Sequence, residues 1–342
     1  DIQKAYIVFI PALLFIVFYA FIGHKIGLKK IMKKALCLFI LSLFIIDSSA
    51  QVINIETNNS SLIYTVSPDK KLTFSYFGDQ LSDSKDFGNE QYLSQMRWMT
   101  GESDFAYPAF GGRYLKEPAI SVLHADGSLV TELIYMDSKS IKVQDGVVHH
   151  IIQLKDKRFN FYVDLHTESY SQSDVFTQWA VIRNNEEGEV VLKNYFSSHI
   201  FLKANRYFLT HFYGGWGSEM TVKEEELTKG MKVIESKNGI RTGHTENSAF
   251  IISLNNPSTE DWGEVIGGGL AWSGNYKMIC QVEQFNYLHF LGGINPFLSE
   301  IPLQPAEQFE TPKMVFSYSN KGKSQLSRNL HDWARRYSLV DG

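Results

Sequence analysis

Cysteine is nearly missing from this 342-residue chain, which holds only Cys37 and Cys280. That excludes a small disulfide-stapled scaffold, so the fold must be held by apolar burial. Metal-ligand spacing is missing as well. Neither H-E-x-x-H nor paired C-x-x-C motifs occur, and the adjacent His149 and His150 would point to opposite faces of a strand, a poor chelate. No metal and no cofactor is implied. Basic charge is short: 33 Lys and Arg stand against 37 Asp and Glu, for a net charge of −4. A surface without a basic excess has little means of neutralising phosphates, which excludes nucleic acid as the natural partner. The run Gly267-Gly268-Gly269 lacks the Lys-Ser/Thr of a phosphate loop and reads as close strand packing. Repeats, low-complexity tracts and long helical periodicity are also lacking after residue 51, until the last stretch of the chain.

What is present is apolar and aromatic: 44% hydrophobic and 14% aromatic residues allow a large core in one or two domains. Residues Met32 to Ala50 combine Lys33 and Lys34, an apolar run from Ala35 to Ile46, and small residues up to Ala50. This is the pattern of a secretory signal peptide cut after Ala50, so an exported protein, periplasmic or extracellular, is expected. Upstream, Ala5 to Gly23 is apolar and long enough to span a bilayer. The chain begins with Asp1 and a good initiator sits at Met32, so residues 1–31 are read as an over-extended or fragmentary start, with a membrane anchor as the alternative.

From Val52 onward short β-type runs alternate with turn formers. Leu62 to Val66, Lys71 to Tyr76, His149 to Leu154, Phe159 to Leu165, Phe176 to Arg183 and Val190 to Phe196 are separated by Pro68-Asp69, Asp126-Gly127, Asp145-Gly146 and Asn184 to Gly188. Many strands at this spacing predict an all-β fold, a large antiparallel sandwich over residues 51–323. The segment Ile182 to Val190 reads as a hairpin that sets Thr177–Arg183 beside Val190–Phe196. Only Ser324 to Tyr337 has helical spacing. Leu326, Leu330, Trp333, Ala334 and Tyr337 share one face, with Ser324 or Ser327 as N-cap.

Three late phrases carry a family resemblance: DWGEVIGGGLAWSGNYKM (Asp261 to Met278), LGGINPFLSEIPLQPAEQFETPKMVFSYS (Leu291 to Ser319) and SRNLHDWARRY (Ser327 to Tyr337). Together they resemble the N-terminal β-sandwich of glycoside hydrolase family 36, the bacterial α-galactosidases. The resemblance covers roughly residues 55–338 and implies a galactose-mutarotase-like supersandwich with one C-terminal linker helix. It implies that residues 324–342 lead to a (β/α)8 barrel holding both catalytic carboxylates, which this chain, ending at Gly342, does not contain. The expectation is therefore a non-catalytic piece of an enzyme that hydrolyses terminal α-galactosyl groups with retention. Galactose against N-acetylgalactosamine stays open, and homo-oligomerisation through the sandwich is part of the same expectation. A stand-alone carbohydrate-binding or assembly module is the alternative. A mutarotase-type epimerase would need His and Glu side chains converging on one sheet, for which His150, His199, His211, His244 and His289 are available.

No catalytic residue is assigned. Glu219, Glu224, Glu225, Glu226, Asp261, Glu264 and Asp332 read as solvated charges or turn residues. Tyr107-Pro108-Ala109-Phe110-Gly111-Gly112-Arg113-Tyr114-Leu115-Lys116-Glu117-Pro118-Ala119 resembles a family loop that reaches towards a galactose pocket. Tyr114 stands where that loop has Asp, and Lys116 where it has Arg. Tyr107, Phe110, Arg113 and Tyr114 are the candidate contacts to an α-galactoside oligosaccharide or glycan, against the alternative that these aromatics pack the loop. Trp216, within Gly214-Gly215-Trp216-Gly217, is a fifth candidate, although close packing is the favoured reading there. Ser236 to His244 resembles another family phrase, with His244 read as structural.

Overall fold

The structure, a computed structural model, describes residues 51–83, 104–240 and 245–339. The segment Met32–Ala50, read from the sequence as a signal peptide, the apolar stretch 5–23 and His244 lie outside the described residues. Among the described residues no helix is long and apolar enough to cross a membrane.

The strands in chain order begin with β1 (Gln51–Glu56), β2 (Ser60–Val66), β3 (Leu72–Asp79), β4 (Ile120–Leu123), β5 (Leu133–Gln144), β6 (Val147–Asp156) and β7 (Phe161–Tyr170). They continue with β8 (Val175–Asn184), β9 (Val190–Lys203), β10 (Tyr207–Tyr213), β11 (Thr221–Leu227), β12 (Gly230–Glu235) and β13 (Glu246–Leu254). Then come β14 (Val265–Leu270), β15 (Tyr276–Val282), β16 (Tyr287–Ile294), β17 (Ile301–Leu303), β18 (Gln308–Glu310) and β19 (Met314–Ser319). Helix α1 (Gly322–Trp333) follows and relaxes into a π-helical turn, Ala334–Ser338.

Among the described residues three antiparallel sheets result. One runs β11-β10-β13-β14-β19-β8-β7-β6-β5 with β18 also on β8; a second runs β12-β15-β16-β9-β17 with β4 also on β9; the third is β1-β2-β3. The all-β supersandwich read from the sequence is therefore the observed architecture. Alternation explains which face turns inward: Phe161, Val163 and Leu165 of β7 are buried in the main core, while His166 and Glu168 look out. Phe250 of β13 meets Phe290 of β16 with ring centroids 4.1 Å apart, joining the two large sheets. The small sheet joins the same core: Phe77 stands edge-on to Phe176 and Phe316, at 5.6 and 5.4 Å. A buried polar node links all three sheets, since Gln178 Nε2 donates to Tyr64 Oη at 2.8 Å and Ser198 Oγ donates to Gln178 Oε1 at 2.5 Å.

Two expectations need correction. β8 and β9 are not paired: β8 bonds to β7, β18 and β19, and β9 to β4, β16 and β17. The segment between them is an arch from one sheet to the other. Buried Asn184 shapes it, donating from Nδ2 to the carbonyls of Gly188 and Leu303, both at 2.9 Å. Helix α1 starts at Gly322, before either serine, and no side chain caps it. Instead the amides of Gly322, Lys323 and Ser324 donate to the carbonyls of Gly263, Thr259 and Glu260, which satisfies the orphan donors of the first turn. Gly322, at φ 74°, lets the chain turn there without a Cβ striking those carbonyls. The predicted apolar face of α1 is observed: Leu326 is buried, and Leu330, Trp333 and Tyr337 pack on Val147, Tyr170, Val175 and Val315 of the largest sheet.

Candidate functional site

The segment from Asp104 to Ala119 leads into β4 and is fastened at both ends by backbone bonds. Phe74 N donates to Asp104 O, and Ala106 N to Leu72 O, while Phe196 N donates to Ala119 O at 2.8 Å. Between these staples the loop walls a cleft of about 370 Å³, lined among others by Lys71, Phe105, Tyr107, Arg113, Tyr114 and Glu132. That size suits one or two sugar rings. Aromatic faces and charged or hydroxyl groups side by side are what binds a ring with an apolar face and hydroxyl edges.

The five candidates separate. Tyr107, Arg113 and Tyr114 line the cleft. Phe110, 47% exposed, belongs to the same loop and lies outside that lining. Trp216 sits in the turn between β10 and β11 and is 90% exposed, so the packing favoured for it from the sequence is not what the fold does. The tight approach there is local: a Cβ on Gly214 would lie 2.1 Å from the carbonyl oxygen of Ser218.

Both tyrosines also serve the fold. Tyr107 Oη donates to the Phe196 carbonyl at 2.6 Å, and burial pushes its phenol pKa well above the ordinary range. Tyr114 is 6% exposed, its hydroxyl 3.4 Å from His289 Nδ1. Lys116, which stands where the family loop has Arg, turns inward, with Nζ 2.9 Å from Glu283 Oε2. Sequence reasoning missed Lys71, Thr131, Glu132 and Leu133 as lining residues, because β3 and the segment before β5 meet the loop only through tertiary pairing.

Beneath the loop, on the outer face of the second sheet, His199 Nε2 lies 3.1 Å from His289 Nδ1, and both rings are closed to solvent. Burial drives His199 well below the ordinary histidine value, and the charge of His289 adds to the effect. His289 is lowered by burial first, against the pull of Glu283. Burial would raise the Glu283 carboxyl, but the nearby His289 ring and the Lys116 ammonium, at 3.8 and 2.9 Å, outweigh it and hold it below the ordinary value. The histidines thus converge on one sheet as an epimerase would require, but under Tyr114 rather than open to the cleft. Among the described residues Glu132 is the one carboxylate lining the cleft, whereas a retaining glycosidase needs two about 5–5.5 Å apart. The acids read as solvated charges pair on the surface: Glu224 with Lys323, Glu225 with Lys232 and Glu226 with Arg206.

Residues 70–304 match the glycosyl hydrolase family 36 N-terminal domain. Alpha-galactosidase AgaA of Geobacillus stearothermophilus is 30% identical over 243 residues, covering 67% of this chain and 33% of AgaA. Alpha-galactosidase Mel36A of Lactobacillus acidophilus is 25% identical over 316 residues, 83% of this chain and 42% of Mel36A. A solved structure of an AgaA variant in complex with raffinose superposes with a TM-score of 0.78 at 25% identity, over 84% of this chain and 43% of that one. The chain therefore spans between a third and about two fifths of the length of these curated relatives.

Proposed function

The chain belongs to glycosyl hydrolase family 36 through that family's N-terminal domain, and from this premise we propose that it is the non-catalytic sandwich of an exported α-galactosidase-like enzyme. The whole protein would hydrolyse terminal α-galactosyl groups of oligosaccharides such as raffinose, with retention. The sandwich contributes the Asp104–Ala119 loop and its cleft as sugar-contacting surface and leaves the chemistry to carboxylates elsewhere. The observation that carries this reading is the family match over residues 70–304, together with relatives named as alpha-galactosidases. Export rests on the Met32–Ala50 pattern alone, and self-assembly on the family resemblance.

Tyr114 and Lys116, which stand where the family loop has Asp and Arg, are turned into the sheet. Direct contact with a sugar then falls to Arg113 and the aromatic walls. Titrating raffinose into the purified chain tests this. Weak saturable binding, on the order of millimolar, displaced by galactose and weakened by Arg113→Ala, is the expected result. No binding, or binding indifferent to Arg113→Ala, would remove the cleft from the account and leave a scaffold or assembly module.

A further inference from the structure

Four contacts hold the middle of the loop, residues 111–117, onto the second sheet: Tyr114 Oη to His289, Lys116 Nζ to Glu283, the Glu117 amide, which donates to Gln281 Oε1 at 3.1 Å, and Asn194 Nδ2, which donates to Glu117 Oε1 at 3.3 Å. Under them His199 and His289 lie stacked, rings 22° apart in tilt and 5.4 Å between centroids, with Phe201 beside His289 at 5.1 Å. The 3.1 Å contact between the two imidazoles joins one N–H to one bare nitrogen, so it survives the first proton and is lost once both rings are protonated.

We propose that this pair makes residues 111–117 a pH-sensitive latch: the loop lies closed over the sheet while His199 and His289 are neutral and is released when they take protons in mild acid.

The groups facing the pair come from every element packed around it. The loop contributes Tyr114, the Lys116 ammonium and, against His199, the backbone of Phe105 and Ala106; β9 contributes Phe201, β15 contributes Gln281, and the turn after β15 contributes Glu283. Glu117 is close enough to Tyr114 to act on its phenol. Glu283 is the carboxylate that faces His289, at 3.8 Å from Nε2, and Lys116 already engages it at 2.9 Å. A proton on either imidazole therefore adds an unmatched positive charge in a site closed to water, a cost the open loop avoids by hydration. The closed state holds both histidines below the ordinary 6.5. Protons thus accumulate on the open state, and closure is fully favoured above that value and weakens as pH falls below it. Each histidine contributes up to about tenfold in the opening equilibrium per pH unit. Because Tyr114 is a wall of the cleft, release reshapes the cleft in the same pH range.

The latch does not depend on what the cleft binds, so its failure and the failure of the sugar reading are separable. Hydrogen exchange of the amides of residues 111–117, corrected for the intrinsic pH dependence of exchange, tests it in the full chain between about pH 7.5 and about pH 5. Loop protection is expected to fall more steeply than that of the β14–β19 ladder, and the excess is expected to vanish in the doubly substituted His199→Phe, His289→Phe chain. Should that variant not fold, the imidazole NMR signals of the wild type decide. They must change protonation state over the same pH range in which the loop amides lose protection. Loop protection that tracks the ladder, an undiminished excess in the variant, or histidines that stay neutral while the loop opens would overturn the proposal.

Discussion

Lys116 Nζ lies 2.9 Å from Glu283 Oε2, and the two side chains are only 9% and 6% exposed. An ion pair this deep is destabilising to break but close to neutral to replace as a unit, because the desolvation cost is borne by both charges. Lys116→Met alone, or Glu283→Gln alone, should lower stability by about 3–5 kcal/mol. The double replacement should recover most of that loss. Urea unfolding of the three variants checks it, and additive losses would show that the pair does not act as a unit.

Gly268 packs so closely on β19 that an added Cβ would stand 1.9 Å from the Val315 carbonyl oxygen, whereas at Gly269 the nearest atom is 3.4 Å away. Gly268→Ala must therefore push β14 off β19, at about 1–3 kcal/mol or more. Gly269→Ala, one residue along the same strand, should shift the unfolding midpoint far less. Equal effects would contradict the close-packing account of the triple glycine.

Trp216 is 90% exposed and lies outside the cleft lining. Trp216→Ala is expected to change stability by less than about 0.5 kcal/mol and to leave raffinose binding unaltered. Tyr107→Phe removes the buried hydroxyl bonded to the Phe196 carbonyl and should cost about 1–3 kcal/mol. Thermal and urea unfolding of the two variants separate the exposed aromatic from the structural one.

Acid should weaken the whole fold as well as the loop. Burial, aided by the charge of His149, pushes His150 down to about 4 from the ordinary 6.5. The unfolded chain takes a proton that the folded chain refuses, so this contribution is fully present above about pH 6.5 and is lost on descending towards pH 4. Between pH 7 and pH 5 the loss from His150 is at most about 2 kcal/mol, reduced by its residual contact with solvent. His150→Gln should flatten the pH dependence of the urea midpoint in that range, and an unchanged slope would count against it.

Much of the fold was legible because alternation survives wherever one face of a strand meets solvent. Phe161, Val163 and Leu165 read as an inward set beside His166 and Glu168. β8 has no such signature: it is buried on both faces over most of its length, so period two cannot say which strand lies beside it, and the arch at Asn184 to Gly188 imitates a hairpin. The start of α1 was misplaced because backbone carbonyls at Thr259 to Gly263 replace the side-chain cap that serines usually supply. The loop from Tyr107 to Ala119 was found by its residues, but the inward turn of Tyr114 and Lys116 depends on His289 and Glu283, more than 160 residues later in the chain. Long-range register of that kind leaves no local trace.

The central claim is that this sandwich supports an α-galactosidase without performing its chemistry. Hydrolysis of an aryl α-galactoside by the purified chain, freed of host galactosidase, tests it most directly. The account predicts no turnover above buffer, since among the described residues one carboxylate lines the cleft where retention needs two. Turnover that stays with the chain through purification would contradict it.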